Sequence, residues 1–277
     1  MGLSVSAALG GISRQPFRAE DGVVLMADTH DIQAFYRDNP RMVSSPFGGI
    51  DGIHEPLIAE VFARLGIELR GKRLLDVGCG RGFLIDWARR EGADAYGLDF
   101  VVSRGGFPLA QGDAAALPFP DAAFDILCCV DASEHFPQPE AAAREFFRVL
   151  RPGGVFFLSA PNYGNIAGLV KRWCEATGAY APHTWAPFGR WQPQELEQPL
   201  TLRSVRRLYA GAGFGDIAVM GYDKEAYLGL CPWIDHPRCP ERIRYRLQDL
   251  FAALGPAITR ACPGASLHGF WRMRRPG

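Results

Sequence analysis

The sequence lacks a long hydrophobic run and an excess of charge of either sign. Its apolar runs are short, such as residues 155–158, whereas a helix that spans a bilayer needs roughly 18 apolar residues. The chain of 277 residues has 30 Lys and Arg against 30 Asp and Glu, so it carries no basic field of the kind that binds phosphates. We therefore expect no membrane and no nucleic-acid partner, but a small molecule.

The cysteines lack the even number and regular spacing of a disulfide framework or a zinc site. There are seven, and the adjacent Cys128 and Cys129 lie in an apolar run that predicts buried packing. The first eleven residues are small and apolar, without the basic residues of a signal peptide. These observations predict a protein of the reducing cytoplasm.

The hydrophobic pattern divides the chain into a leader and one domain. Residues 1–52 show no sustained period, and we interpret them as a cap with one short helix near residues 31–37. In the domain of residues 53–277, predicted strands (73–77, 95–98, 125–130, 155–159, 217–219, 269–273) alternate with predicted helices (53–65, 83–90, 139–150, 201–212, 241–254). This α/β alternation predicts a mostly parallel sheet with helices on both faces and ligands at the carboxyl ends of its strands.

Two insertions interrupt this domain, at about 161–200 and 223–266. The first is rich in Pro, Gly and aromatic residues and contains Trp173, Trp185 and Trp191. Long loops of this kind are uncommon unless they are functional, so we interpret the segment as a lid over a substrate pocket. Tyr163 and His183 are then candidate polar groups facing the substrate. The alternative is a hydrophobic subdomain or the surface of a homodimer.

A glycine turn follows the strand at 73–77 and precedes the helix at 83–90. Gly78, Gly80 and Gly82 allow close approach of a ligand to the backbone, and the helix beyond offers unpaired N–H groups. The spacing differs from the dinucleotide fingerprint, and no Walker lysine follows. The turn therefore indicates neither a nicotinamide cofactor nor a phosphate cradle.

Two acids stand at the ends of the next strands. Asp99 follows the strand at 95–98, where a carboxylate can accept both hydroxyls of a ribose, although a solvated loop acid is the alternative. Asp113 begins the loop before Leu117 and Pro118, where it can face an amino group.

Four ordered segments resemble the motifs of class I S-adenosylmethionine-dependent methyltransferases. They are residues 74–84, Asp99, residues 111–126 and residues 148–154, and the resemblance covers residues 53–219. It is closest to the branch with ubiquinone and menaquinone biosynthesis enzymes and natural-product tailoring enzymes. The resemblance implies a Rossmann-like, seven-stranded sheet and S-adenosylmethionine as the cofactor, with S-adenosylhomocysteine as the product.

The resemblance also assigns cofactor contacts residue by residue. The residues implied are Asp76, Gly78, Cys79 and Gly80 around the methionine part, Asp99 and Phe100 at the ribose and adenine, Asp113 and Ala114 at the adenine, and Val130 and Asp131 beneath the sulfonium. The chain departs from the family between Asp99 and Asp113, because residues 100–112 leave little room for the usual helix. We expect the third helix to be shortened or lost.

A cluster of acid and imidazole groups follows the strand at 125–130. Asp131, Glu134 and His135 would gather on one side of a helical segment, as ligands of a divalent cation do in some relatives. We expect no metal here, since methyl transfer relies on orientation of the reactants. His135 as a general base is the other hypothesis. We interpret His268 as a surface or structural residue.

The function implied is transfer of a methyl group to an oxygen of a small, partly aromatic or apolar, natural-product-like metabolite. Residues 129–132 lack the Asn/Asp-Pro-Pro-aromatic tetrad of amino-methylating enzymes. A carbon or nitrogen acceptor is an alternative. A further alternative is a catalytically silent protein that binds the cofactor as a scaffold or regulator.

Overall fold

The computed structural model describes residues 18–20, 23–25, 55–100, 108–178, 197–235 and 238–277. The strands, in chain order, are β1 (Arg18–Glu20), β2 (Val23–Leu25), β3 (Arg73–Val77), β4 (Asp94–Asp99), β5 (Leu109–Gln111), β6 (Phe124–Val130), β7 (Leu150–Pro161), β8 (Gly215–Gly221) and β9 (His268–Arg274). The α-helices are α1 (Glu55–Leu65), α2 (Phe83–Arg90), α3 (Pro139–Val149), α4 (Ile166–Thr177), α5 (Leu202–Gly211), α6 (Ala226–Leu230) and α7 (Glu241–Ala261).

The strands form one sheet in the order β1-β2-β5-β4-β3-β6-β7-β9-β8. Strands β5, β4, β3, β6 and β7 are parallel, and β9 is antiparallel to both of its neighbours. The predicted seven-stranded, mostly parallel sheet is therefore confirmed. A hairpin from the leader extends it, because β2 pairs with β5. Strands of three residues have too short a pattern for the sequence to reveal them.

Alternating residues of the central strands supply two cores. Leu75 and Val77 of β3 pack with α3 and α5, whereas Leu74 packs on the opposite face with α1 and α2. The neighbouring strands repeat this division because successive side chains of a strand point to opposite faces. The helices on both faces are confirmed.

The antiparallel direction of β9 has a consequence for that edge. His268, the first residue of β9, pairs with Pro161, the last residue of β7. The start of β9 thus lies among the carboxyl ends of the parallel strands, where sheets of this class bind ligands. His268 is buried there, together with Asp131 at the end of β6.

The first insertion contains a helix that the sequence pattern did not predict. The Asn165 side chain caps α4 by accepting a hydrogen bond from the Gly168 N–H at 2.8 Å, and Gly178 ends it at φ 66°. The helix exposes Leu169 and Trp173. His183, Trp185 and Trp191 lie outside the described residues, as does the helix expected near 31–37.

The second insertion contains a helix longer than predicted, since α7 extends to Ala261. Among the described residues, no helix has both the length and the apolar character needed to cross a bilayer.

Residues 101–107 are also outside the described part, so the expected shortening of the third helix stays a prediction. Cys128 and Cys129 are buried thiols, as predicted, and all seven cysteines are free.

Two helical glycines offer a matched test of this packing. A Cβ added to Gly168 would lie 2.3 Å from the Cα of Tyr163, whereas one added to Gly211 would meet nothing within 4 Å. We expect Gly168→Ala to lower the free energy of unfolding by about 1–3 kcal/mol. Gly211→Ala should raise it by about 0.5–1 kcal/mol, because alanine loses less backbone entropy in a helix. Denaturant unfolding of both variants measures these shifts, and equal shifts would contradict the close approach.

Candidate active site

The glycine turn lies at the carboxyl end of β3. Gly78 and Gly80 have φ of 76° and 49°, values that glycine adopts without strain. The N–H groups of Gly78 and Cys79 donate to the Leu98 carbonyl at 2.8 and 3.2 Å, which ties the turn to β4. A Cβ on Gly78 would lie 2.4 Å from the Cβ of Ala132, so the turn packs directly against the segment after β6.

Two acids flank this turn. The Gly80 N–H donates to Oδ2 of Asp99 at 2.7 Å, so the acid at the end of β4 also holds the turn in place. Asp76 is buried, and its Oδ1 has no hydrogen-bond partner among the described residues. Burial raises the pKa of Asp76 well above its usual range, and Asp99 raises it further. The site therefore holds an unsatisfied buried acid beside the turn.

The segment with Asp113 lies next to Asp99. The Gly112 N–H donates to the Asp99 carbonyl at 3.0 Å, and the Gln111 side-chain amide donates to the Phe100 carbonyl at 2.7 Å. Oδ1 of Asp113 accepts the Ala115 N–H at 2.8 Å, which shapes the loop after β5. Ala114 is buried. The structure thus brings together Asp99, Phe100 and the residues after β5.

Asp131 follows Val130 at the end of β6 in a strained conformation. Its φ is 45°, which costs a non-glycine residue roughly 1–3 kcal/mol unless its surroundings hold it. Its N–H donates to the Ser159 carbonyl at 3.1 Å, and the Ser159 hydroxyl donates to its Oδ1 at 2.6 Å. Oδ2 of Asp131 lies 3.5 Å from Nε2 of His268. Asp131 is therefore fixed between β7 and β9.

Glu134 and His135 form a 3₁₀ turn directly after this strand end. Burial raises the pKa of Glu134 well above its ordinary range, and Asp131 raises it further, which favours a protonated carboxyl. His135 is partly exposed, and its Nε2 lies 3.8 Å from Oε1 of Glu134. No group of three or more His, Cys, Asp or Glu in the described ranges is arranged to hold a metal ion.

His268 forms a buried ion pair on its other side. Its Nδ1 lies 3.0 and 3.1 Å from the two carboxylate oxygens of Glu225, and its backbone N–H donates to Oε2 at 3.0 Å. Burial alone would lower the pKa of His268. Glu225, Asp131 and Glu134 reverse this and raise it to about 10, so the ring is an imidazolium at neutral pH.

Tyr163 belongs to a second buried polar cluster. Its hydroxyl hydrogen-bonds to both Lys171 of α4 and Glu197, and the Lys171 ammonium lies 2.6 Å from Oε1 of Glu197. The Gln198 N–H and side chain donate to the carbonyls of Glu134 and Phe136, both at 2.8 Å. The end of the first insertion is thus anchored beside the 3₁₀ turn. The role of the first insertion as a lid over the substrate pocket stays a prediction.

Comparisons with known proteins agree with this geometry. A family model described as a methyltransferase domain matches residues 75–158. The chain is 33% identical over 192 residues to a ubiquinone biosynthesis O-methyltransferase of Idiomarina loihiensis, covering 62% of this chain and 75% of that protein. It is 29% identical over 171 residues to the enzyme of that name from Chromobacterium violaceum, covering 56% and 70%.

The chain belongs to the class I S-adenosylmethionine-dependent methyltransferases. A solved methyltransferase from Archaeoglobus fulgidus shares the fold, with a TM-score of 0.53 over 87% of this chain and 99% of that one at 16% identity. The protein is therefore an S-adenosylmethionine-dependent enzyme.

The residues of this methyltransferase fit such a cofactor. A Cβ on Gly80 would meet nothing within 4 Å, so the turn borders open space rather than packed side chains. Asp76 leaves a buried oxygen without a partner in the described structure, and the acids Asp99 and Asp131 lie on either side of the turn. A ligand with a cationic sulfonium and a ribose matches this set of acceptors.

The sequence did not single out all of the polar groups at this edge. Of the two interpretations of His268, surface or structural, the first is wrong, because the structure buries His268 at the strand ends beside Asp131. Glu225 has no signal in the sequence, because its partner His268 lies 43 residues away. Lys171 is one of the basic residues of the first insertion, but its pairing with Glu197, 26 residues away, is visible only in the structure.

The position of Asp99 predicts a large effect on cofactor affinity. We expect Asp99→Ala to weaken S-adenosylmethionine binding by about tenfold or more, because charge-assisted hydrogen bonds are lost and the Gly80 turn is released. Calorimetric titration measures the affinity. Asp94→Ala, at the opposite end of β4, is the matched control and should bind like the wild type. Equal affinity of Asp99→Ala and the control would exclude this site assignment.

The His268 ion pair predicts a pH dependence of stability. The folded pKa of about 10 lies above the value of about 6.5 in an unfolded chain, so the charge stabilises the fold fully below pH 6.5. As pH rises from 6.5 toward 10, the difference in unfolding free energy between wild type and His268→Gln should shrink, by up to about 1.4 kcal/mol per pH unit. Denaturant unfolding across this range checks the trend, and a constant difference would argue for a neutral ring.

Proposed function

We propose that this methyltransferase transfers the methyl group to a hydroxyl oxygen of a small, partly aromatic or apolar metabolite. The observation that carries the proposal is the similarity to two relatives that are named as O-methyltransferases and align over 70% or more of their length. The balanced charge of the chain supports an acceptor that is not a polyanion. The aromatic first insertion supports a pocket for a ring.

The proposed cofactor contacts are those that the family resemblance implied. Asp76, Gly78, Cys79 and Gly80 would surround the methionine part, with Asp99 and Phe100 at the ribose and adenine and Asp113 and Ala114 at the adenine; Val130 and Asp131 would lie beneath the sulfonium. The geometry supports this placement, because the glycine turn packs against Ala132 and links the first group to the last. S-adenosylmethionine, when bound, supplies an electrophilic methyl group.

The chain's own contribution to the chemistry is orientation and removal of a proton. A hydroxyl acceptor loses its proton as its oxygen gains the methyl group, and a base at the strand ends must receive that proton. We assign this role to His135, with His183 and Tyr163 as further acceptor-side candidates. His135 suits the role because it lies directly after the strand end of β6, and its side chain is partly exposed where a substrate can reach it.

Tyr163 fits a supporting role better than proton transfer. It is buried, and Lys171 and Glu197 both bond its hydroxyl, so it holds the end of the first insertion near the acceptor side. The proposal also includes a cytoplasmic location, which the seven free thiols support. A homodimer remains a proposal as well, supported by the exposed Leu169 and Trp173 of α4.

Transfer of a labelled methyl group tests the acceptor class. With deuterated S-adenosylmethionine and a panel of phenols, catechols, hydroxylated polyketides, amines and indoles, we expect label only in methyl ethers of hydroxyl acceptors. The position of the label follows from mass spectrometry and NMR of the product. We expect the rate to survive chelation and to be unchanged by added Mg²⁺, because the proposed transfer uses no metal.

Two variants sharpen this experiment. His135→Gln should lower the turnover rate by about 10²-fold or more, the usual contribution of a general base, with unchanged cofactor affinity. Asp99→Ala should instead lower the affinity for S-adenosylmethionine. Label found only on nitrogen or carbon would favour those alternatives. Cofactor binding without transfer to any of the panel would favour the silent scaffold.

A further inference from the structure

The Asp131 carboxylate has a fixed direction. Its Oδ1 is held by the Ser159 hydroxyl at 2.6 Å, and its Oδ2 lies 3.5 Å from Nε2 of His268. Oδ2 is buried and has no hydrogen bond among the described residues. The left-handed backbone at Asp131 is retained because β7 and β9 both hold it. Such retained strain is characteristic of functional sites.

His268 is an internal cation between two carboxylates. Oε1 of Glu225 lies 3.0 Å from Nδ1 of the ring, and Oε2 accepts a hydrogen bond from the Ser266 hydroxyl at 3.1 Å. These contacts fix the side of the ring that faces away from Asp131. Asp131, Glu134 and Glu225 are the acids that face the ring, and they raise its pKa to about 10 despite burial. Burial raises the pKa of Asp131, whereas the His268 charge and the Ser159 hydroxyl lower it, so the imidazolium favours an ionised Asp131. With Asp131 and Glu225 ionised, two carboxylates and one imidazolium carry one net negative charge.

This net negative charge lies next to the glycine turn. Ala132, the residue after Asp131, is the one that Gly78 approaches so closely that a Cβ would lie 2.4 Å away. A buried net negative charge interacts with a cation far more strongly than it would in water. It therefore distinguishes a positively charged sulfonium from a neutral thioether of nearly the same shape.

We propose that His268 is a positioning residue that holds the Asp131 carboxylate toward the sulfonium, and that this pair makes the site prefer the charged cofactor over its neutral product. The inference rests on the proposed placement of Asp131 beneath the sulfonium. In this proposal, the cluster of His268, Asp131 and Glu225 selects S-adenosylmethionine over S-adenosylhomocysteine. The same preference favours release of S-adenosylhomocysteine after the reaction.

The test compares three ligands by calorimetric titration at pH 7.5. S-adenosylmethionine and sinefungin carry a positive charge at the reacting position, and S-adenosylhomocysteine does not. In Asp131→Asn, we expect affinity for both cations to fall roughly tenfold relative to the neutral product, the change that about 1.4 kcal/mol gives. His268→Asn removes the charge that lowers the pKa of Asp131, so the buried carboxyl should take up a proton, and we expect the same fall. The same titrations are made with His268→Gln, so that the test needs only one of the two His268 variants to fold.

A merely structural role of His268 would not change this ratio. Gly213→Ala is the control, because its Cβ would lie 2.9 Å from the Phe147 ring, at the end of β8 and β9 opposite to His268. It should destabilise the fold and bind the three ligands in wild-type proportion. The double variant Asp131→Asn/His268→Asn should lose no more selectivity than either single variant, since the two residues act as one unit.

The outcomes are separable from those of the proposed function. Folded His268 variants with a wild-type ratio overturn the inference, whether or not Asp131→Asn changes it. A fall in affinity for all three ligands together would also overturn it, because charge would then play no part. If the wild-type protein bound none of the ligands, the proposed cofactor site itself would be wrong.

Discussion

The crowding of acids at one edge of the sheet is the constraint on which the site depends. Asp76, Asp99, Asp131, Glu134 and Glu225 approach that edge from four separate parts of the chain. Carboxylates placed together in a poorly solvated site cannot all stay ionised without a compensating charge. Here burial raises the pKa of Asp76 and of Glu134, which favours their protonated forms, and the His268 imidazolium supplies a positive charge.

The antiparallel direction of β9 brings a histidine to this edge of the sheet. Because β9 runs against β7, its first residue reaches the edge where the parallel strands end, and His268 meets Asp131 there. A parallel strand in that place would start at the opposite edge. The two insertions are tied to the site in similar ways. Ser266 and Glu225, near the two ends of the second insertion, bond to each other, and Gln198 joins the first insertion to the 3₁₀ turn.

Much of the fold was predictable because its signals are local. The bounds of β3 and α2 agree with the prediction at every residue, since a buried apolar run, three glycines and an amphipathic segment follow one another directly. Helix α5 was predicted to within a residue or two because Thr201 caps it, with Ser204 completing the capping box. Helix α4 was missed because its aromatic and glycine residues hid the period.

The sequence predicts those contacts of the candidate site whose two residues lie on consecutive elements. It does not predict contacts between residues that are far apart along the chain. Gly80 and Asp99 are 19 residues apart on consecutive strands, and their pairing follows from the alternation of strands and helices. His268 and Asp131 are separated by more than a hundred residues, and nothing near His268 distinguishes it from a surface histidine. Its pairing depends on the order and direction of β7 and β9.

The amino-acid sequence by itself determined the class of fold, the glycine turn with its acids, and the cofactor chemistry that the family implies. These properties are local, since they depend on residue type, on spacing along the chain and on hydrophobic period. Only the tertiary structure decided which buried charges meet, and so for which histidine and which acids the pKa is raised. Burial and charge separation are properties of the packed chain, because the pKa of each group is set by neighbours that the sequence does not place beside it.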